Sequence, residues 1–366
     1  MWTIIHTEAS LGWGGQEIRI LRESSCMRER GHRVVIIAEK ESSLIKKASG
    51  AGFETIALSF QKKDYPASFL RLLKIIKELR PDIVNTHSSK DSWLAGCAAR
   101  ASSVKPAVIR TRHLSTPVSK SLASAIVYGK LPEMIITTAE AIRESLITRN
   151  NIPPDKVVSI PTGVDLSSFD PGKLRKDLRG ELGLPPDTVL VGMVSVIRSW
   201  KGHDCFVEAA GIVAKKMPGV RFIIAGDGPR KESIERLVKE KGLSEAVLML
   251  GHREDVPRVM ASLDILAQPS YGNEGVPQTV LQALAMGLAV VSSDLKPLVE
   301  VVSDGSTGLV VPAKDPEALA AKIMLLAKDE RLRKRLGEAG GRMVRERFSV
   351  ERMTDRVEEI YGRLRG

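Results

Sequence analysis

Two cations stand three residues apart in Ser195-Val196-Ile197-Arg198-Ser199-Trp200-Lys201-Gly202-His203, directly after a run of β-branched residues. Placed at the carboxyl end of a strand, Arg198 and Lys201 would neutralise the charge of a diphosphate held there, with solvated surface charge as the plain alternative. Further along, Glu274 precedes Pro277-Gln278-Thr279-Val280-Leu281-Gln282-Ala283-Leu284-Ala285-Met286-Gly287. Proline suits a helix's first turn and glycine its end, which predicts a helix of about ten residues beginning right after Glu274. The backbone N–H groups of Gln278 and Thr279 would then point at an anion. Glu274, just outside the helix, is placed to accept hydrogen bonds from sugar hydroxyls, and Gln282, one turn further in, to reach a ribose. A simple N-cap is the alternative role for Glu274.

A second candidate is the loop Glu8-Ala9-Ser10-Leu11-Gly12-Trp13-Gly14-Gly15-Gln16-Glu17, which opens a helix. Gly14 and Gly15 let the backbone approach a phosphate at a helix N-terminus. Nothing glycine-like follows Gly15 at the spacing of the G-x-G-x-x-G fingerprint, which disfavours a nicotinamide cofactor. Gly228 lies in a further glycine-rich turn, Ala225-Gly226-Asp227-Gly228-Pro229. His87 and His113 each close a strand-like run, in Asn85-Thr86-His87-Ser88 and Arg110-Thr111-Arg112-His113. A lone histidine in such a place is often only structural.

The elements that must position these residues alternate short β-branched runs with helix-length amphipathic segments, the pattern of α/β folds with a mostly parallel sheet. The first half predicts strands over Thr3–Thr7, Arg33–Ala38, Glu54–Leu58, Ile83–His87, Ala107–Thr111, Met134–Thr138 and Val157–Pro161, with a helix over Gln16–Arg30. A polar, irregular stretch from Pro161 through Pro186 reads as a linker. The second half predicts strands over Val189–Val196, Arg221–Ala225, Val247–Leu250, Ile265–Gln268, Ala289–Ser292 and Gly308–Val311. The expectation is an α/β chain of two Rossmann-like, doubly wound domains, 1–170 and 171–349, facing across a cleft where ligands bind at the strand ends. The amphipathic tail 350–366 is expected to pack back on the first domain.

At 366 residues, two such domains fit, and the 27% charged and 43% apolar content is that of a folded chain. Cys26, Cys97 and Cys205 are widely spaced and form no C-x-x-C pair, so they read as small core residues. No apolar run approaches a membrane span and the first residues lack a signal-peptide pattern, which predicts a cytoplasmic location. The net charge of +11 implies attraction to something anionic. Residues 1–170 hold 24 Lys plus Arg against 17 Asp plus Glu, and the rest 31 against 27, so the excess leans to the first half. With 4% aromatic residues and no basic stretch interleaved with stacking side chains, nucleic acid is not expected as a partner. Basic amphipathic stretches at 71–77 and 117–130 leave an anionic membrane surface as a candidate, with a core helix as the equal alternative around 71–80.

Glu274 through Gly287 resembles the E-x7-E signature region of the family-4 retaining glycosyltransferases, which have the GT-B fold. The resemblance extends over nearly the whole chain: Gly14-Gly15 is similar to the family's N-terminal glycine loop, Pro161-Thr162-Gly163-Val164-Asp165 with Phe169 to its P-N-G-V-D linker motif, and Ala225-Gly226-Asp227-Gly228-Pro229 to its G-x-G-P turn. The resemblance implies that Arg198 and Lys201 hold the diphosphate of a UDP-, GDP- or ADP-linked sugar, that Glu274 binds the transferred sugar, and that the turn at Gly251-His252-Arg253 meets the base. It places His113 beside donor sugar and acceptor, with His87 and Glu17 as weaker acceptor-side residues. Retention of anomeric configuration, no catalytic metal and no cofactor beyond the nucleotide-sugar are implied, the leaving phosphate itself taking the acceptor's proton. Three positions depart from the pattern. Gln282 stands where the second glutamate would be, Val196 where an arginine is usual, and Thr162 in place of the linker asparagine; Arg198 is taken to compensate for Val196. Pro277 also removes one backbone donor.

The function so predicted is sugar transfer to a glycan or glycolipid acceptor, in lipopolysaccharide or other envelope polysaccharide synthesis at the inner face of the membrane. A nucleotide-sugar epimerase of the same fold and a catalytically silent nucleotide-sugar-binding protein are the alternatives. Product analysis with donor alone separates the first of these, and binding without turnover the second.

Overall fold

The computed structural model describes residues 1–174 and 177–366. Two compact units are present: Met1–Gly163 together with Val350–Gly366, and Val164–Ser349. The first holds seven strands, β1 (Thr3–Glu8), β2 (Arg33–Ala38), β3 (Glu54–Ala57), β4 (Ile83–Thr86), β5 (Ala107–Arg112), β6 (Met134–Thr137) and β7 (Val157–Ser159). They pair in the order β3-β2-β1-β4-β5-β6-β7, every pairing parallel. The second holds β8 (Val189–Val194), β9 (Val220–Ala225), β10 (Val247–Gly251), β11 (Ile265–Gln268), β12 (Ala289–Ser293) and β13 (Leu309–Val311). Their order is β10-β9-β8-β11-β12-β13, again parallel throughout. Both units are therefore Rossmann-like, as the alternating pattern predicts, and each predicted strand forms within two residues of its expected ends.

Parallel sheets are covered on both faces, which is why most of these strands carry buried Ile and Val on both sides. In the first unit, Ile4, Ile36, Ile83 and Ile109 point to one face, and Ile5, Val35, Ile37, Val84 and Val108 to the other. The first face is covered by the helix Gly15–Glu29 and the tail helix Val350–Arg365. Met353, Val357, Ile360 and Tyr361 bury the tail against that core, and a fully buried apolar side chain contributes about 1.5–3 kcal/mol. Arg30 adds ion pairs to Asp355 at 2.6 Å and Glu358 at 2.5 Å. The other face is covered by the helices Tyr65–Leu79 and Ser89–Ala101. The first of these buries Leu72, Ile75 and Ile76, so the stretch around 71–80 is a core helix, while Arg71, Lys74 and Lys77 on its outer side are exposed. Cys205 is buried, and Cys26 and Cys97 are half-buried beside core clusters. No helix among the described residues is long and apolar enough to cross a membrane.

One local expectation fails. The helix expected right after Glu274 begins only at Gln278 and runs to Ala285. Pro277, with ψ 128°, is extended and occupies the N-cap position, so Gly275, Val276 and Pro277 lie between Glu274 and the helix. Glu274 is neither in nor capping it.

Candidate active site

Each sheet reverses its strand order once, between β1 and β4 and between β8 and β11, and ligands of open α/β sheets bind at the carboxyl ends of the strands flanking that reversal. In the second unit the residues there are the predicted ones. Lys201 ends a single 3-10 turn, Ser199–Lys201, that follows β8, and Glu274 lies in the loop that follows β11. The two loops lie against each other because of Gly202, whose φ of +85° favours glycine and whose position would put a Cβ 2.1 Å from the Pro269 carbonyl oxygen. Next to it, the Tyr271 N–H donates to the Trp200 carbonyl at 2.8 Å.

Lys201 Nζ is thereby brought to 2.7 Å from Glu274 Oε1 and 3.0 Å from Oε2. The side chains are 17% and 7% exposed. The Ser270 hydroxyl donates to Glu274 Oε1 at 2.8 Å, Gln268 Nε2 donates to that hydroxyl at 2.6 Å, and Thr279 Oγ1 donates to Gln268 Oε1 at 3.3 Å. The carboxylate is thus fixed through a relay reaching from β11 to the start of the helix Gln278–Ala285. Gln278 and Thr279 are that helix's first two residues, and Gln282 sits buried one turn in.

Arg198 is exposed, its guanidinium 5.3 Å from the centre of the Trp200 ring. Gly226 and Gly228, at φ +153° and +155°, are required by close approach: a Cβ would stand 1.9 Å from the Ser195 carbonyl oxygen in the one case and 2.6 Å from that of Ile197 in the other. The turn after β9 is laid on the turn after β8, with Ile197 N–H donating to Asp227 O at 2.8 Å. Gly228 therefore shapes the segment that carries Arg198 and Lys201. His203 follows directly and is pushed down to about 4, by burial first and then by Lys201. His252 is exposed, whereas Arg253 is held between Glu181 at 2.6 Å and Asp255 at 2.7 Å, which raises its pKa.

In the first unit Gly14 is the N-cap of the helix Gly15–Glu29, with an ordinary extended backbone at φ −162°. Glu17, in that helix's first turn, is buried. Glu8, at the end of β1, accepts from the Ser10 N–H at 2.7 Å and from Gln16 Nε2. Burial, then the Asp91 and Glu17 carboxylates, push the Glu8 acid up to about 8.

His87 and His113, which follow β4 and β5, are joined by a third imidazole. His6 Nδ1 is 2.9 Å from His87 Nε2, and His87 Nδ1 is 3.0 Å from His113 Nε2. Burial is the main cause that holds both His87 and His113 well below the ordinary histidine range, and neighbouring cations add to it. Asp91 anchors the middle of the chain by accepting the His87 N–H at 2.8 Å, the Thr7 hydroxyl at 2.8 Å and the Ser88 N–H at 2.7 Å. Sequence reasoning missed His6, Asp91, Ser270 and Glu8. His6 sits inside a strand among isoleucines and looks like core, and only the β1–β4 register, which aligns His6 with Asn85, shows what it meets. Among the described residues no cluster of His, Cys, Asp and Glu is arranged to hold a metal ion.

Comparison with known proteins is consistent along the chain. The family model described as Glycosyltransferase Family 4 matches residues 13–168, and that described as Glycosyl transferases group 1 matches residues 175–343. The UDP-Gal:alpha-D-GlcNAc-diphosphoundecaprenol alpha-1,3-galactosyltransferase of Escherichia coli is 27% identical over 80% of this chain and 78% of its own length. The D-inositol 3-phosphate glycosyltransferase of Nocardia farcinica is 28% identical over 88% of this chain and 79% of its own. Among solved structures, Anabaena HepE in complex with UDP-glucose superposes with a TM-score of 0.88 at 18% identity, covering 99% of this chain and all of that one.

Proposed function

The chain belongs to the family-4 glycosyltransferases of the GT-B fold, and from that premise we propose that it moves a hexosyl or related unit from a nucleotide-sugar to a glycan or glycolipid, with retention and without a catalytic metal. The observation that carries this reading is the Lys201–Glu274 pair at the carboxyl ends of β8 and β11. A diphosphate held there meets the Lys201 ammonium, the exposed guanidinium of Arg198 and the first N–H groups of the helix Gln278–Ala285. As the phosphate draws Lys201 toward itself, Glu274 is left to accept hydroxyl hydrogen bonds from the sugar, held in place by Ser270. Gln282 offers a neutral acceptor for a ribose hydroxyl. In the first unit, neutral His113 would orient a sugar or acceptor hydroxyl, and the leaving phosphate would take the acceptor's proton. The Escherichia coli relative's donor and the HepE ligand are both UDP-sugars by name, which makes a UDP-sugar the first donor to try.

For the acceptor we favour a lipid-linked glycan on the cytoplasmic leaflet, in lipopolysaccharide or other envelope polysaccharide synthesis. The first unit exposes Arg71, Lys74 and Lys77 on one helix face, and around Lys120 and Lys130 it exposes Leu114 and, at 76%, Leu122. Basic residues flanking exposed apolar ones suit an anionic membrane surface. The experiment is incubation with UDP-glucose, UDP-galactose or UDP-GlcNAc and either a diphosphoundecaprenol-linked sugar or inositol 3-phosphate, with the new linkage read by NMR. An α-linked product from an α-configured donor, formed with chelator present, is expected. A β-linked product contradicts retention, and an altered donor sugar without transfer favours an epimerase.

A further inference from the structure

The three imidazoles of the first unit form one hydrogen-bonded chain whose direction is set at its inner end. His6 lies on β1, His87 follows β4 and His113 follows β5, three strands adjacent in the sheet. Successive ring centroids are 5.2 and 5.3 Å apart, and the nitrogen contacts of 2.9 and 3.0 Å leave room for one proton in each link. A neutral imidazole carries one N–H and one lone pair. If His87 holds its proton on Nε2, then His6 Nδ1 accepts, His6 is protonated on Nε2, and His113 must donate from Nε2 to His87 Nδ1. If His87 holds it on Nδ1, every assignment reverses. Only these two arrangements satisfy both links.

The group that decides between them is Glu23. His6 Nε2 is buried, has no hydrogen-bond partner and lies 4.0 Å from Glu23 Oε1. Glu23 is itself fixed, with Arg19 Nε 3.4 Å from Oε2 and the Tyr361 hydroxyl donating to Oε1 at 3.0 Å. Tyr361 in turn accepts from Asn85 Nδ2 at 3.0 Å, so its proton is committed to the carboxylate. An N–H turned to a buried carboxylate is favoured, and a lone pair turned to it is repelled. That selects the arrangement with His6 protonated on Nε2.

We infer that Glu23, His6 and His87 are positioning residues that hold His113 as the Nε2–H tautomer, so that its Nδ1 is a hydrogen-bond acceptor for a ligand hydroxyl. Nδ1 makes no hydrogen bond among the described residues and is the outer end of the chain. A hydroxyl can donate to it; an ionised phosphate or carboxylate oxygen cannot. The chain stays neutral because burial and the Arg19, Arg110 and Arg112 guanidiniums around it disfavour imidazolium; Glu23 faces the His6 ring, and the Asp91 carboxylate is taken up by the His87 and Ser88 N–H groups and the Thr7 hydroxyl. His113 then orients an alcohol without removing its proton. The identity of that alcohol as a sugar or acceptor hydroxyl rests on the proposed glycosyltransferase reading; the tautomer does not.

The test is long-range 1H–15N correlation NMR of the full chain with 15N-labelled histidine at neutral pH. The expected result is His6, His87 and His113 all protonated on Nε2; a His113 proton on Nδ1 overturns the inference whatever the protein transfers. In His87→Phe, which cuts the chain, His113 is expected to populate both tautomers, and an unchanged signal there overturns the positioning role. Should that variant fail to fold, the wild-type spectrum still decides. With donors and acceptors carrying fluorine in place of single hydroxyls, one position is expected to weaken binding roughly tenfold in the wild type and to have no such effect in His113→Ala. An equal loss in both proteins overturns the assignment of a hydroxyl to Nδ1.

Discussion

Lys201 and Glu274, 73 residues apart in sequence, meet as an ion pair of 2.7 Å with the carboxylate side chain only 7% exposed. The pair joins the two loops at the strand reversal of the second unit, and each charge compensates the other where water has little access. Removing Lys201 therefore strands a buried carboxylate. Since loss of one partner of a buried pair costs about 3–5 kcal/mol and Lys201 keeps some exposure, Lys201→Ala and Glu274→Ala should each lower stability by up to about 3 kcal/mol. The double variant should lose less than the sum, because neither charge is then left alone. Urea unfolding of the wild type and the three variants measures this; strictly additive losses would show that the pair is not coupled.

Turnover should respond differently from stability. With donor saturating, Lys201→Ala is expected to lower turnover by roughly 10²-fold or more, as does loss of a preorganised charge-stabilising group. Arg198→Ala, whose guanidinium is exposed over Trp200, should cost less. Equal turnover for Lys201→Ala and wild type would remove Lys201 from the chemistry.

Gly202 is the hinge of this geometry. At φ +85°, with a Cβ position 2.1 Å from Pro269 O, Gly202→Ala must push the loop after β8 away from the loop after β11. The expected cost is about 1–3 kcal/mol, accompanied by weaker nucleotide-sugar binding, while Gly129→Ala, which meets nothing within 4 Å, should leave binding unchanged. Calorimetric titration of both variants tests this.

Acid should unfold the protein through its buried histidines. His6, His87, His113 and His203 all have pKa values below the ordinary 6.5, His203 at about 4, with burial the largest cause in each. Below pH 6.5 the unfolded chain binds protons that the folded chain does not, so stability falls as pH drops from 6.5 toward 4 and beyond. Glu8 works the other way. Its acid, raised from 4.5 to about 8, ionises in the unfolded chain first, so it costs stability progressively as pH rises from 4.5 to 8. Glu8→Gln should therefore raise the melting temperature at pH 8 and change it little at pH 4.5. An equal effect at both pH values would contradict the raised acid.

The strands were legible because parallel strands covered on both faces are predominantly apolar, and the strand-end places of Arg198, Lys201 and Glu274 were legible because they can be read from where such runs stop. What could not be read was who faces whom. That Lys201 pairs with Glu274, or that His6 inside β1 reaches His87 and His113, follows from strand order and register, which local spacing does not encode. The late start of the helix at Gln278 was missed for a local reason: proline is as compatible with an extended N-cap as with a first turn, and only the ψ of 128° at Pro277 decides.

Whether a nucleotide-sugar donor is held at Lys201 and Glu274 is decided by thermal unfolding with UDP, GDP, ADP and their common sugar conjugates, with chelator present, on wild type and Lys201→Ala. A ligand that binds only the folded state at a hundred times its dissociation constant adds about 2.7 kcal/mol. One nucleotide-sugar, a UDP-sugar first, is expected to raise the melting temperature of the wild type and not of Lys201→Ala. No shift with any of them, or the same shift in both proteins, would contradict it.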